Sequence, residues 1–224
     1  MMRNDRPDMR LGDDSPEALA RRVAAAMPAS AGRQLVALAG PPGCGKSTVA
    51  AALATVLAGH GRRVAVVPMD GFHRDNADLR AHGLFARKGA PETFDAAGFL
   101  ALVGQLKRAK GEVAVPLFDR VRDAVVPDAQ RVAGDCDCVI VEGNYLLYDA
   151  DPWRALAPLW DLSVFLDPGL DVLRQRLVQR WCDHGLSHEA AEARAEGNDL
   201  TNARTIYAAS LPADLVLQTT GSAG

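Results

Sequence analysis

Short apolar runs separated by longer segments of mixed polarity divide the chain into alternating strand and helix candidates. Runs that are almost wholly apolar, the pattern of strands buried on both faces, lie at residues 34–40, 63–68, 138–142, 162–166 and 214–218. Helices are predicted at residues 15–26, 47–59, 95–107, 170–182 and, for most of its length, 187–209. This alternation predicts an α/β fold with a doubly wound, mostly parallel sheet flanked by helices.

Two parts of the chain do not fit the alternating pattern. Residues 71–94 show no sustained periodicity, and a stretch of that length inside a compact domain is usually functional. Residues 113–117 and 124–126 look extended, with a short break between them. The first residues are polar, so we expect a disordered tail over 1–13 and a single domain over 14–224.

Charge and composition exclude several classes of protein. The 224 residues carry a net charge of −3, which argues against a general nucleic-acid partner because phosphate backbones bind basic surfaces. The sequence has no apolar run near the roughly 18 residues of a membrane span and no apolar signal core at its start. We therefore expect a cytoplasmic protein without a membrane partner. A homodimer is compatible with the sequence, which does not fix the oligomeric state.

The four cysteines do not suggest a disulfide framework. None of them forms a CxxC pair, and the default compartment is reducing. Cys136 lies just before a predicted strand and Cys138 begins it, which favours reduced structural thiols for both. A metal-binding or redox-sensing role for these two stays open.

A glycine-rich turn with the sequence GPPGCGKST follows the first predicted strand at residues 40–48. Its beginning matches the phosphate-binding pattern GxxxxGK[ST], and a predicted helix follows directly. Gly43 and Gly45 allow backbone angles that point successive N–H groups inward, and the helix start adds its positive dipole end. We expect Lys46 to reach the β- and γ-phosphates of ATP and Ser47 to ligate Mg²⁺. The expected nucleotide-binding residues are Gly40, Pro41, Pro42, Gly43, Cys44, Gly45, Lys46, Ser47 and Thr48.

Two acids lie at strand ends, where ligands of an open α/β sheet bind. Asp70 follows the strand at 63–68, and Glu142 ends the strand at 138–142. A carboxylate beside an acceptor hydroxyl can take its proton, and a second can hold Mg²⁺ directly or through water. We assign Asp70 as the base and Glu142 to the metal environment. The alternative is that either acid caps the turn that follows its strand.

The helix predicted over residues 170–182 is basic. It carries Arg174, Arg176 and Arg180, and the last two lie four residues apart on one face. Arginines over the phosphate site could neutralise the charge of the transferred group, as a lid or an arginine finger does. A solvated helix face paired with nearby acids is an equal alternative at this point.

In the order and spacing of its motifs, the chain resembles the P-loop kinases that include uridine kinase, phosphoribulokinase and bacterial pantothenate kinase. The resemblance covers roughly residues 34–218. It rests on GPPGCGKST (40–48), PMDGFH (68–73), RKGAPETFD (87–95), PLFDR (116–120), VIVEGNYLL (139–147) and the arginine helix after FLDPGLD (165–171). RKGAPETFD is similar to a stretch of the bacterial pantothenate kinases. Within the group, the chain resembles in particular a subfamily of candidate fructose-transport-system kinases, also named uridine kinase-like proteins.

The resemblance implies a P-loop kinase fold with a helical lid and transfer of the γ-phosphate of Mg-ATP to a hydroxyl of a small metabolite. It implies that Asp70 and Lys46 are catalytic and that Glu142 is the acid of the second nucleotide motif. It also implies that the lid arginines Arg176 and Arg180 are catalytic. The substrate contacts that it suggests are His73, Arg87, Asp119 and Arg120.

The acceptor stays open between a sugar or polyol, a nucleoside, and pantothenate or a similar hydroxy acid. Arg87, Lys88 and Arg120 favour an acidic or phosphorylated acceptor, because guanidinium groups pair bidentately with carboxylate or phosphate. Two other classes compete with a kinase. A regulatory NTPase is disfavoured because the sequence lacks an NKxD or LSGGQ-type motif, and a binding protein without catalysis is disfavoured because Lys46 and Asp70 are both present.

Overall fold

The computed structural model describes residues 13–30 and 32–219, and the tail predicted over 1–13 lies outside this part except for its last residue. Within the described residues the helices are α1 Pro16–Ala26, α2 Lys46–Gly59, α3 Asn76–Ala81, α4 Ala96–Arg108, α5 Leu170–Asp183, α6 His188–Arg194 and α7 Leu200–Ala208. The strands are β1 Gln34–Ala39, β2 Val64–Pro68, β3 Val113–Asp119, β4 Ala124–Val132, β5 Cys138–Gly143, β6 Leu162–Asp167 and β7 Leu215–Gln218. Shorter 3₁₀ turns and one π-helical turn, Ala195–Asp199, join them.

A five-stranded parallel sheet with the order β2-β5-β1-β6-β7 forms the centre of the molecule. Each apolar run predicted from the sequence supplies one of these strands, so the predicted α/β fold with a parallel sheet is confirmed. The register places Ala39 beside Gly143 and Pro68 beside Glu142. The carboxyl ends of β1, β2 and β5 therefore meet at one edge of the sheet.

The sheet is buried because alternate side chains of each strand enter two different cores. On β1, Val36 and Leu38 pack with helices α1, α2 and α5 on one face. Leu35 and Ala37 pack with α4 and β3 on the other face. Removal of apolar surface from water on both faces explains why these strands are continuous apolar runs rather than alternating ones.

The segment at residues 71–94 contains one short helix that the sequence pattern did not reveal. Helix α3 begins at the N-cap Asp75, whose side chain accepts a hydrogen bond from the Ala77 N–H at 2.7 Å. Only Leu79 of this helix is buried, so no apolar periodicity marks it. The helix and two 3₁₀ turns, Phe85–Arg87 and Pro91–Thr93, give the segment an irregular but hydrogen-bonded path.

Strands β3 and β4 form a separate antiparallel hairpin that stands against the edge of the sheet. The side chain of Gln130 donates to the Val66 carbonyl on edge strand β2 at 2.9 Å. A Cβ at Gly71 would lie 2.2 Å from the Pro116 carbonyl oxygen, so only glycine allows the turn after β2 to approach the hairpin this closely. The hairpin tip therefore overhangs the sheet edge where β2 ends.

The thiols of Cys136 and Cys138 are both free and buried. The Cys136 Sγ donates to the Cys138 carbonyl at 3.2 Å, and burial raises the pKa of the Cys138 thiol to about 12. Among the described residues, the His, Cys, Asp and Glu side chains form no cluster of three that could hold a metal. In the same part of the chain, no helix has the length and apolarity needed to cross a bilayer.

Candidate active site

The loop at residues 40–48, called the P-loop below, forms a concave turn between β1 and α2. Gly40, Gly43 and Gly45 have φ angles of 152°, 79° and 95°, a region that side chains rarely adopt. A Cβ at Gly40 would lie 2.8 Å from both the Cys44 Sγ and a backbone oxygen of β6. Helix α2 begins at Lys46, so its first N–H groups point into the loop. This arrangement is an anion-binding nest at a helix N-terminus.

The ammonium group of Lys46 lies inside the P-loop. Its Nζ donates to the Pro41 carbonyl at 2.9 Å, and the residue is only 8% exposed. The next residue, Ser47, donates its hydroxyl to the Glu142 Oε1 at 2.9 Å. Burial raises the pKa of the Glu142 carboxyl, and the positive charge of Lys46 opposes that rise. Glu142, at the end of β5, thus directly contacts the P-loop, which follows β1.

Asp70 lies in the 3₁₀ turn Met69–Phe72, immediately after β2. Its Oδ2 accepts a hydrogen bond from an Arg120 guanidinium nitrogen at 3.0 Å, and its Oδ1 lies 3.9 Å from the His73 Nε2. Arg120 comes from the tip of the hairpin, between β3 and β4. The carboxylate is partly exposed, so it is accessible from the cavity described below.

His73 is a neutral aromatic wall beside Asp70. Its ring stacks on Phe94 with 4.1 Å between centroids and lies 4.8 Å from the Phe118 ring. Burial lowers the pKa of the imidazole from 6.5 to about 4, although the nearby Asp70 charge works in the opposite direction. Among the described residues, the buried Nδ1 has no hydrogen-bond partner. The ring therefore contributes no positive charge to the site at neutral pH.

The low pKa of His73 predicts a pH-dependent stability. The unfolded chain binds a proton at His73 below pH 6.5, whereas the folded chain resists it down to about pH 4. The free energy of unfolding is therefore at its full value above pH 6.5. It falls as the pH is lowered towards 4, by about 3 kcal/mol at most from this group. Urea denaturation at pH 7 and 4.5 should show a smaller loss for His73→Phe than for the wild type. If the unfolding free energy falls equally in the wild type and in His73→Phe, His73 is not the cause of the pH dependence. The control is His82→Gln, because His82 is exposed and should leave the wild-type loss unchanged.

Arginines of helices α5 and α6 lie near the P-loop and the Trp181 ring. Arg176 donates to the Cys44 carbonyl within the loop at 3.4 Å. Arg180 and Arg194 lie over the Trp181 ring at 5.6 and 5.0 Å from its centroid. The Trp181 indole N–H donates to Asp199 at 2.7 Å, which fixes the ring that carries both guanidinium groups. Stacking on an indole favours a guanidinium cation.

A cavity of about 580 Å³ joins these groups. The P-loop forms one side of the cavity, and the 71–94 segment and the hairpin form the opposite side. The helical segment 170–208 contributes the third side. The cavity wall includes these residues predicted from the sequence: Pro42, Gly43, Gly45, Lys46, Ser47, Thr48, Asp70, His73, Arg120, Glu142 and Arg180. Gly40, Pro41, Cys44 and Arg176 do not line it, but they shape or contact the P-loop.

Two predicted substrate residues lie outside the cavity wall. Arg87 is exposed and pairs with Glu92 at 2.7 Å. The Oδ1 of Asp119 accepts hydrogen bonds from the backbone N–H groups of Val121 and Arg122, so this side chain stabilises the hairpin turn. The structure therefore does not bring these two side chains together with Asp70.

Several residues of the cavity wall were not predicted. Two buried asparagines lie in the wall: Asn198 in the π-helical turn between α6 and α7, and Asn202 on α7. Turns of the π type are frequent at functional sites. The Asn198 amide donates to the Lys88 carbonyl at 2.8 Å. Asp123 lines the cavity as well, beside Lys88, which the sequence had already suggested as a contact for an acidic acceptor. Polar residues on an otherwise apolar helix face are the one signal in the sequence for the asparagines.

The fold and the loop together define the class of the protein. A parallel strand that leads through GxxxxGKS into a helix, at the carboxyl edge of the sheet, is the architecture of P-loop nucleotide-binding proteins. The model of the phosphoribulokinase / uridine kinase family matches residues 35–221, and the chain belongs to that family. The protein is accordingly a small-molecule kinase, a phosphotransferase with a hydroxyl group as acceptor.

Comparisons with individual proteins agree with this membership. The crystal structure of a candidate fructose transport system kinase from Silicibacter sp. TM1040 is 53% identical, with a TM-score of 0.84 over 91% of this chain and 98% of that chain. A candidate uridine kinase from Schizosaccharomyces pombe is 35% identical over 83% of each chain. A pantothenate kinase from Nocardioides sp. is 37% identical over 66% of this chain, but that match spans only 47% of the relative. The resemblance seen in the motifs is confirmed.

Proposed function

We propose that the protein transfers the γ-phosphate of Mg-ATP to a hydroxyl of a small metabolite, with Asp70 as the base. The observation that carries this proposal is the shared cavity: the Asp70 carboxylate opens onto the same space as the P-loop side chains Lys46 and Ser47. A group that accepts a proton and groups that bind a phosphate tail therefore face one substrate volume.

The residues of the P-loop fit a nucleoside triphosphate and a magnesium ion. The glycine angles and the start of α2 direct backbone N–H groups at an anion, and the buried Lys46 ammonium adds a positive charge. Ser47 and Glu142 offer a hydroxyl and a carboxylate oxygen 2.9 Å apart, the ligand types that Mg²⁺ prefers. Bound Mg-ATP would supply the phosphoryl group, which passes to the acceptor oxygen as its bond to ADP breaks.

The side chains have distinct tasks in this proposal. Lys46 binds the phosphates, and Asp70 orients the acceptor hydroxyl and takes its proton. Arg120 holds one carboxylate oxygen of Asp70, which leaves the other free for the hydroxyl. Arg176 and Arg180 approach from α5 and stabilise the negative charge of the transferred group. The helical segment above the cavity limits the access of water, which would otherwise compete with the acceptor.

Acceptor-dependent release of ADP tests the proposal. The purified protein with ATP and Mg²⁺ should form ADP many-fold faster with a sugar or polyol, a nucleoside, or a hydroxy acid such as pantothenate than with buffer alone. Mass spectrometry should find one added phosphate on the acceptor. ADP release at full rate without any acceptor would instead favour a regulatory NTPase, because such a protein needs only water.

A further inference from the structure

The ammonium group of Lys88 is held within the cavity wall by two partners. Its Nζ donates to the Asn76 Oδ1 at 2.7 Å and to the Asp123 Oδ1 at 2.6 Å, and it lies 4.9 Å from the Phe118 centroid. The Asn76 amide closes the ring with a hydrogen bond to the Asp123 Oδ2 at 2.8 Å. The Lys88 side chain is only 15% exposed, whereas that of Asp123 is 51% exposed. Both residues line the cavity, and the carboxylate is the more accessible of the two groups.

The backbone at Asp123 is in an unusual conformation that serves this ring. Its φ angle is 51°, in the left-handed region that few side chains other than Asn and Asp adopt. Partial burial acts to raise the pKa of the Asp123 carboxyl, but hydrogen bonds from Lys88 and Asn76 outweigh it and lower that pKa. The group is a carboxylate at neutral pH. Non-glycine residues held in this region cluster at functional sites.

The two cations that the 71–94 segment and the hairpin place in the cavity wall, Lys88 and Arg120, are each paired with a carboxylate. Lys88 pairs with Asp123, Arg120 pairs with Asp70, and Arg87 pairs with Glu92 outside the cavity wall. The three basic residues that favoured an acidic acceptor in the sequence are thus already engaged within the protein. Four aromatic rings also line this part of the cavity, those of His73, Phe85, Phe94 and Phe118.

We propose that the acceptor is a neutral molecule rich in hydroxyl groups and that Asp123 determines this specificity by accepting a hydrogen bond from one of them. The inference rests on the proposed kinase function. A sugar ring, a polyol and the ribose of a nucleoside share this chemistry. An ionised carboxylate accepts short, strong hydrogen bonds from hydroxyls, and the apolar face of a ring packs on aromatic side chains. An anionic acceptor would lie beside the carboxylates of Asp70 and Asp123, whose neighbouring cations Arg120 and Lys88 are already paired, so its desolvation would be poorly compensated there. The other arginines of the wall, Arg180 and Arg194, lie on α5 and α6.

The substitution Asp123→Asn tests the role of the carboxylate. Asparagine keeps the size and tolerates the left-handed backbone, but it removes the charge that compensates Lys88. We expect KM for neutral acceptors to rise about ten- to a hundred-fold, the scale of one charge-assisted hydrogen bond, with KM for ATP unchanged. Turnover with hydroxy acids or sugar phosphates should increase, because Lys88 is then free to bind an anion.

A matched control lies on the same hairpin. Asp128 also has a φ angle of 51° and is exposed, but it does not line the cavity, so Asp128→Asn should leave both acceptor classes unaffected. Lys88→Met is the second variant, and it should weaken neutral acceptors without admitting anionic ones. Melting temperatures of all variants show that each is folded, and the Lys88 variant keeps the inference testable if Asp123→Asn does not fold.

The acceptors are tested in four groups: free sugars and polyols, nucleosides, hydroxy acids, and sugar phosphates. Turnover of the wild type with either of the first two groups supports the inference and separates free sugars from nucleosides. Turnover confined to the last two groups overturns it and leaves the kinase proposal intact. Turnover with none of the four overturns both. An unchanged KM in folded Asp123→Asn removes the assignment to Asp123.

Discussion

Asp70→Asn should reduce kcat by about 10²- to 10⁴-fold, the range over which a positioned general base contributes. The amide keeps the size of the side chain and can still face Arg120, but it cannot accept the proton of the acceptor hydroxyl. The P-loop lies on different elements, so binding of Mg-ATP should be unchanged. A coupled assay for ADP gives kcat, and calorimetric titration gives the nucleotide Kd.

Asp75→Asn is the matched control for this experiment. Asp75 lies shortly after Asp70 in the chain and caps α3, and asparagine caps a helix as well as aspartate does. It does not line the cavity, so wild-type kcat is expected. If Asp70→Asn binds nucleotide and retains full kcat, the base must be assigned to another residue.

Lys46→Met should reduce kcat by about 10²- to 10³-fold, the usual cost of losing one preorganised donor to a developing charge. Methionine fills the space of the buried stem but removes the ammonium group that lies inside the P-loop. Because the phosphates would lose this charge, affinity for ATP should fall more than affinity for adenosine. The measurements are the Kd for ATP, the Kd for adenosine, and kcat.

Exposed Lys110, between α4 and β3, supplies the corresponding control, and Lys110→Met should behave as the wild type. If Lys46→Met changes the affinities for ATP and for adenosine by the same factor relative to the wild type, the ammonium does not contact the phosphates. A melting curve distinguishes that result from unfolding. Glu142, whose charge Lys46 offsets, should also show a further rise in its pKa when the ammonium is removed.

The sequence predicted the sheet because parallel strands buried on both faces produce continuous apolar runs. Strand β4 was only partly recognised, since the pattern indicated residues 124–126 whereas the strand extends to Val132. Most of its later residues are exposed and carry no apolar signal. Helix α3 was missed for a related reason: a six-residue helix with one buried side chain has no periodicity to detect.

Within the site, residues fixed by the backbone were easier to predict than residues fixed by side-chain pairing. The position of Asp70 and Glu142 in the cavity wall was predictable because the carboxyl ends of parallel strands share one edge of the sheet. Arg87 was expected in the cavity, but a local partner, Glu92, holds it outside. The contact between Lys88 and Asp123 joins residues far apart in the sequence and depends on a left-handed backbone angle, and no sequence pattern reveals either feature.

The close approach of Gly71 to the Pro116 carbonyl holds the hairpin against the turn that carries Asp70. In the proposed function, the sheet and the P-loop bind the nucleotide, the hairpin and the 71–94 segment bind the acceptor, and Asp70 lies between them. Residues 120–123 at the hairpin tip can therefore diverge without disturbing the sheet. Exchanging this tip between relatives should therefore change the acceptor that is phosphorylated while ATP binding is kept. The hairpin tip is accordingly the part of the protein to vary when acceptor specificity is to be altered.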